Sequence, residues 1–393
     1  MVQSAFQYMY DENGNTYLDC VNNIMHVGHC HPKIVEAAQE QLSTLNTNTR
    51  YLYKSLNDYA EKLLAKLPPS LTKIFFVNSG SAATDLAIRL ARTFTNRKDM
   101  LVVEQGYHGN TEIGIDISSY KFDNKGGTGA KEFIHQLSMP DTYRQKINKD
   151  FYKNEATKIV DSSPIAGFIA ESILSCGGQL MLPDGFLKEI YAIVRDQSGV
   201  CIADEVQVGF GRVGSHFWGF ELQSVVPDIV IMGKPIGNGH PMAAVACTNE
   251  IAEAFDNGME FFSSFGGNPV SCEIGLAVLD VIEEELLQQH AHEMGNYILA
   301  QWEKLKQTHD CIGDVRGVGL FLGIEFVASK TTKEPDEQIA STIVNKLKER
   351  GILLSTDGPY HNVIKCKPPM TFSKQDADRL YTELDLVLHE LKK

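Results

Sequence analysis

No CxxC pair exists among the eight cysteines, Cys20, Cys30, Cys176, Cys201, Cys247, Cys272, Cys311 and Cys366. They are scattered, several of them inside apolar runs, which argues for reduced, buried thiols and against a disulfide framework or a zinc ribbon. The string Gly28-His29-Cys30-His31-Pro32 has no second ligand pair elsewhere in the chain. Adjacent residues rarely converge on one tetrahedral ion, so no metal site is expected. Positive charge is scarce: 36 Lys and Arg stand against 50 Asp and Glu, a net charge of −14. No basic cluster is dense enough to track a polyanion, so nucleic acid is not an expected partner. No apolar run has membrane length and no signal-peptide pattern is present, so a cytoplasmic protein with no membrane partner is expected. The glycine-rich stretch Asn124–Ala130 reads as a surface loop. It lacks the GK[ST] ending of a nucleotide phosphate loop.

What is present is ordinary globular material: 393 residues, 43% hydrophobic and 22% charged. That is enough for a large core and two domains. A short β-rich entry (Gln7–Tyr10, a turn at Asn13-Gly14, Thr16–Leu18) leads to a helix from Pro32 to Leu45, with proline in its first turn. Strands then alternate with helices. Lys73–Val77, Met100–Glu104, Ile165–Glu171, Val200–Ala203 and Asp228–Met232 read as strands; Ser81–Arg92 and Pro183–Gln197 read as helices. This alternation predicts an α/β fold, a three-layer α/β/α domain around a mostly parallel sheet. Beyond it come long charged helices, Leu286–Gln307, Gln338–Arg350 and Lys374–Leu391, around strand segments Asp314–Phe326 and Ile352–Lys367. The expected division is a segment 1–44 belonging to a small domain, a large domain 45–284, and the rest of a small α+β domain at 285–393.

Two charged residues stand at the ends of apolar runs, about where an α/β sheet binds ligands. Asp204 closes Val200-Cys201-Ile202-Ala203, and Lys234 follows Ile229-Val230-Ile231-Met232-Gly233. Either alone reads as a solvated turn residue. Together they suit pyridoxal 5'-phosphate (PLP). A lysine forms a Schiff base with its aldehyde, and a carboxylate keeps its ring nitrogen protonated. Asn78-Ser79-Gly80-Ser81 lies between a strand and a helix, where free N–H groups bind phosphate. Alone, it reads first as a plain N-cap, and as a phosphate site only together with Asp204 and Lys234. Tyr107, in Gly106-Tyr107-His108-Gly109, can stack on a flat cofactor or simply pack. Ser263-Ser264-Phe265-Gly266-Gly267-Asn268-Pro269 can donate to a phosphate or cap the following helix.

With these motifs, and with Ala203-Asp204-Glu205-Val206-Gln207-Val208-Gly209-Phe210-Gly211-Arg212, the chain resembles the class III aminotransferases, a fold-type I PLP group. The motifs occur in the expected order over most of the chain. Within the class it is most similar to the ethanolamine-phosphate and phosphohydroxylysine phospho-lyases, on strings such as Pro140-Asp141-Thr142-Tyr143-Arg144, Ala170-Glu171-Ser172 and Lys365-Cys366-Lys367-Pro368-Pro369. The resemblance implies that Lys234 holds PLP and shuttles protons, and that Asp204 pairs with the ring nitrogen. It implies that Gln207 reaches the ring hydroxyl, and that Val206 and Tyr107 cover the two ring faces. His108 and Glu171 belong to the same cofactor site, and Gly80 and Ser81 hold the phosphate. Ser264 would complete that phosphate site from the neighbouring subunit of a homodimer.

Two departures matter. Ala82 stands where the family has Glu, which alters hydrogen bonding beside the phosphate. Lys365 stands near where transaminases of this class place a carboxylate-binding Arg, and a lysine point charge poorly replaces a bidentate clamp. The expected substrate is therefore a phosphorylated amine, with Lys365, Lys367 and Arg50 as candidate substrate cations. Surface or structural charge is the plain alternative for all three. Elimination of phosphate is the expected reaction and amino transfer to a 2-keto acid the alternative. Family members usually carry further residues before Gln7, so the chain reads as an excised piece of a longer protein or an incomplete product.

Overall fold

A computed structural model describes residues 1–145 and 149–392. Its centre is a seven-stranded sheet in the order Leu71–Val77, Ala243–Thr248, Ile229–Met232, Val200–Asp204, Ile165–Glu171, Asp99–Val103, Ile134–Leu137. Ala243–Thr248 runs antiparallel to both its neighbours, and the remaining pairs are parallel. Every residue of Ile165–Glu171, Val200–Asp204 and Ile229–Met232 is buried. Burial on both faces is why these strands read as continuous apolar runs. Helix Gly80–Thr95 buries Ala83, Leu86, Ala87, Leu90 and Ala91, the i, i+3, i+4 stripe of one face. Ser79 caps its start by accepting from the Ala82 N–H at 3.2 Å, and Asn96 ends it in the left-handed region at φ 52°.

A second, antiparallel sheet joins Ile312–Val318, Phe321–Ser329, Val363–Cys366 and Ser355–Asp357. The segment expected as Asp314–Phe326 is thus a tight hairpin. Gly319 (φ 53°) makes its turn, and a Cβ there would lie 2.3 Å from the Arg212 carbonyl oxygen. Chain ends meet: Thr16–Asp19 pairs in parallel with Ile352–Leu353. Lys367 N–H bonds the Cys20 carbonyl at 2.8 Å, and Met370 N–H bonds that of His26 at 2.8 Å. These bonds draw the residues after Val363–Cys366 alongside residues 20–26 and toward the central sheet. No helix among the described residues is long and apolar enough to cross a membrane.

Candidate active site

The carboxyl edge of the central sheet gathers the functional side chains, because parallel strands deliver all their outgoing loops to one side. Asp204 ends its strand, Glu171 ends the neighbouring one, Tyr107 and His108 follow Asp99–Val103, and Lys234 follows Ile229–Met232. Leu71–Val77 leads into helix Gly80–Thr95 at the same edge. A cavity of about 150 Å³ is lined by Ser79, Gly80, Ser81, Thr84, Tyr107, His108, Gly109, Glu171, Asp204, Val206, Gln207 and Lys234. One wall therefore holds nine expected residues from five separate stretches of chain.

Asp204 is buried. Its Oδ2 accepts from His108 Nδ1 at 2.8 Å and its Oδ1 from the Val206 N–H at 3.1 Å. His108 thus braces the carboxylate. Glu171 Oε2 accepts from the Tyr107 N–H at 3.2 Å, and its Oε1 accepts from the Ser175 hydroxyl. Burial, and then the nearby Asp204, push the Glu171 carboxyl up to about 7. The Lys234 side chain makes no hydrogen bond or ion pair with a described residue. Burial lowers its pKa and the Lys365 charge adds to this, against Asp204 and Glu171. Its backbone sits at φ 34°, a left-handed conformation that costs a non-glycine residue about 1–3 kcal/mol and concentrates at functional sites.

These groups fit PLP. The N–H groups of Gly80 and Ser81 open a helix, with no carbonyl one turn earlier to bond, so they can hold a phosphate. Gly109 (φ 127°) keeps the approach narrow, since a Cβ there would lie 2.8 Å from Ser81 Oγ. The Val206 methyls pack against Gly80 and Gly233, where a Cβ would meet them at 3.4 and 3.2 Å. Lys234, with an amine free of partners, can hold an aldehyde, and Asp204 can face a ring nitrogen.

The remaining expected residues fall elsewhere. Lys365 Nζ is paired with Asp357 at 3.1 Å, close enough to Lys234 to lower its pKa. Lys367 is only 2% exposed, and its Nζ donates to Gln207 Oε1 at 2.9 Å; burial pulls its pKa down to about 7. Arg50 lies outside the cavity on the surface, over the Phe262 ring at 4.1 Å and 3.7 Å from Glu260. Ser264 is exposed and does not line this chain's cavity. Sequence reasoning missed Ser175, which links Gln207 to Glu171, and Asn23, whose Nδ2 donates to Gln207 Oε1 at 2.8 Å. Neither carries a local signal, since Asn23 comes from the far end of the chain. Outside the cavity, His309 and His389 both contact Asp385, at 2.7 and 3.3 Å. The three side chains could hold a metal ion by spacing alone.

The class-III aminotransferase profile matches residues 1–388. An alanine–glyoxylate aminotransferase 2-like protein of Drosophila melanogaster is 48% identical, over 96% of this chain and 80% of its own length. The ethanolamine-phosphate phospho-lyase homolog 1 of Caenorhabditis elegans is 41% identical, over 98% of this chain and 87% of its own. Among solved structures, an Arthrobacter phospholyase in complex with phosphoethanolamine superposes with a TM-score of 0.93 at 36% identity, covering 99% of this chain and 94% of that one. With the cavity chemistry above, the chain belongs to the class-III aminotransferase family and is a PLP-dependent enzyme of fold-type I.

Proposed function

We propose that the enzyme is a phospho-lyase acting on a phosphorylated amine of the phosphoethanolamine kind, with water consumed and aldehyde, ammonia and phosphate released. Bound PLP supplies the electron sink for the amine-bearing carbon. Lys234 Nζ removes the proton from that carbon; its lowered pKa favours the free base that this requires. Asp204, held by His108 and the Val206 N–H, keeps a negative charge opposite the ring nitrogen. Lys365 Nζ, oriented by Asp357, holds the phosphate that departs from the adjacent carbon.

The observation that carries this reading is that no arginine lines the cavity among the described residues, while Lys365, a point charge suited to phosphate, is among the charges that depress the Lys234 pKa. Support comes from the two relatives named for phospho-lyase activity. Amino transfer is the second reading, favoured by the 48% identity to the fly aminotransferase-like protein. Incubation with phosphoethanolamine or phosphohydroxylysine separates them. Elimination yields phosphate and ammonia in equal amounts with no keto acid added. Strict dependence on pyruvate or 2-oxoglutarate, with no phosphate released, selects amino transfer. In Lys365→Ala, KM for the phosphorylated amine should rise while PLP stays bound.

The same reading makes the working unit a homodimer. Tyr51, Leu52, Met259 and Phe265 are exposed around the Arg50–Glu260 contact, an apolar patch of the kind that marks an interface. Ser264 lies within that stretch and would reach the partner's phosphate site. All eight cysteines are free, which suits a reducing compartment such as the cytoplasm.

A further inference from the structure

We propose that Lys367 is a positioning residue: it fixes the side-chain amide of Gln207 in one orientation, so that Gln207 can meet the cofactor only as a hydrogen-bond donor. The argument is a count of donors and acceptors. A glutamine amide has an oxygen that accepts two bonds and a nitrogen that donates two. Gln207 Oε1 already accepts from Asn23 Nδ2 at 2.8 Å and from Lys367 Nζ at 2.9 Å. Nε2 donates to Ser175 Oγ at 2.5 Å. One N–H is left, and Gln207 lines the cavity, so a cofactor group that touches it must be an acceptor such as a ring oxygen.

Of the three partners, Lys367 alone decides the direction. Asn23 has an amide of its own and can turn over together with Gln207, exchanging donor for acceptor. Ser175 can reverse by giving up its bond to Glu171. A lysine that keeps its proton has no acceptor at all, so the atom opposite it must be the oxygen, and Lys367 imposes this most firmly below about 7. The placement of Lys367 agrees with this task better than with substrate binding. Its Nζ lies 4.6 Å from the centre of the Phe321 ring, and it has no ion pair with a described carboxylate. Burying such a cation is costly unless its hydrogen bonds are used. The inference rests on bound PLP and holds for elimination and amino transfer alike.

The test is a double-mutant cycle on Lys367→Met and Gln207→Leu. Each variant is stripped of PLP and retitrated, following the absorbance of the bound cofactor. Lys367→Met should weaken PLP retention about tenfold, equivalent to about 1.4 kcal/mol, and shift the cofactor spectrum toward that of Gln207→Leu. In the Gln207→Leu background it should add nothing further, since the group it acts through is gone. Independent, multiplying effects would overturn the proposal. So would an unchanged spectrum and PLP affinity with a raised KM for phosphoethanolamine, which would make Lys367 a substrate cation. Should Lys367→Met fail to fold, Lys367→Gln serves. It restores a donor but permits the reversed amide, and it should show the same spectral shift in smaller degree; a wild-type spectrum there would count against the idea.

Discussion

Replacing Asp204 by Asn separates the charge of this residue from its shape. The side chain is 3% exposed, so the variant must find partners for its amide within the protein. Asn can keep its oxygen on the Val206 N–H, which leaves its NH2 facing His108 Nδ1. His108 can respond, because its Nε2 is buried with no partner and can take the ring proton, turning Nδ1 into an acceptor. The structural cost is then one buried, unsatisfied N–H, about 1–3 kcal/mol, which a protein of this size tolerates with a modest fall in melting temperature. The catalytic cost is larger. Loss of a preorganised electrostatic stabiliser typically lowers kcat by about 10²–10³-fold. A second readout follows from Glu171, whose pKa Asp204 helps to raise. Without that charge, any limb of the pH–rate profile owed to Glu171 should move to lower pH. The assay is phosphate release from phosphoethanolamine at saturating PLP across pH 5–9, with a thermal melt of the same samples. A folded Asp204→Asn enzyme with wild-type kcat would refute the electron-sink argument.

Three further outcomes are expected. Borohydride reduction of the holoenzyme should fix the cofactor to the peptide containing Lys234, and Lys234→Ala should lose turnover; label on another lysine would displace the assignment. Mixed subunits carrying Lys234→Ala and Ser264→Ala should recover activity that neither homodimer has, because each hybrid holds one intact composite site; an active monomer would rule this out. Glu205 is buried and raised to about 7 from 4.5, first by burial, so the folded protein holds a proton there that the unfolded chain releases. Its contribution is full below about 4.5 and is lost as pH rises through about 7. The melting-temperature difference between wild type and Glu205→Gln should therefore move against wild type over that window, and a flat difference would contradict the buried, protonated carboxyl.

The fold class was legible because burial on both faces of a parallel strand leaves a mark in one dimension: an unbroken apolar run ending in a charged residue. Asp204 and Lys234 could be picked out for that reason, and so could the strand-to-helix turn at Gly80 and Ser81. Other elements left no such mark. Ala243–Thr248 (AAVACT) was missed, although it is the one antiparallel strand and joins Leu71–Val77 to the rest of the sheet. Its small residues mimic a buried helix as readily as a strand. The hairpin turn at Gly319 is not legible within Asp314–Phe326, because it has no Asn-Gly or Asp-Gly signal. The three candidate substrate cations show the same limit at the site. From sequence, Lys365 leads and Lys367 and Arg50 are weaker candidates, with surface or structural charge the plain alternative for each. Only the folded chain separates a half-buried lysine tied to Asp357, a fully buried one turned onto Gln207, and an arginine lying on a surface phenylalanine. Local pattern determines which residues strands bury and which turns they open into. The partner of a side chain is decided by contacts between segments as distant as Asn23, Gln207 and Lys367, and such contacts exist only after the two ends of the chain have packed together.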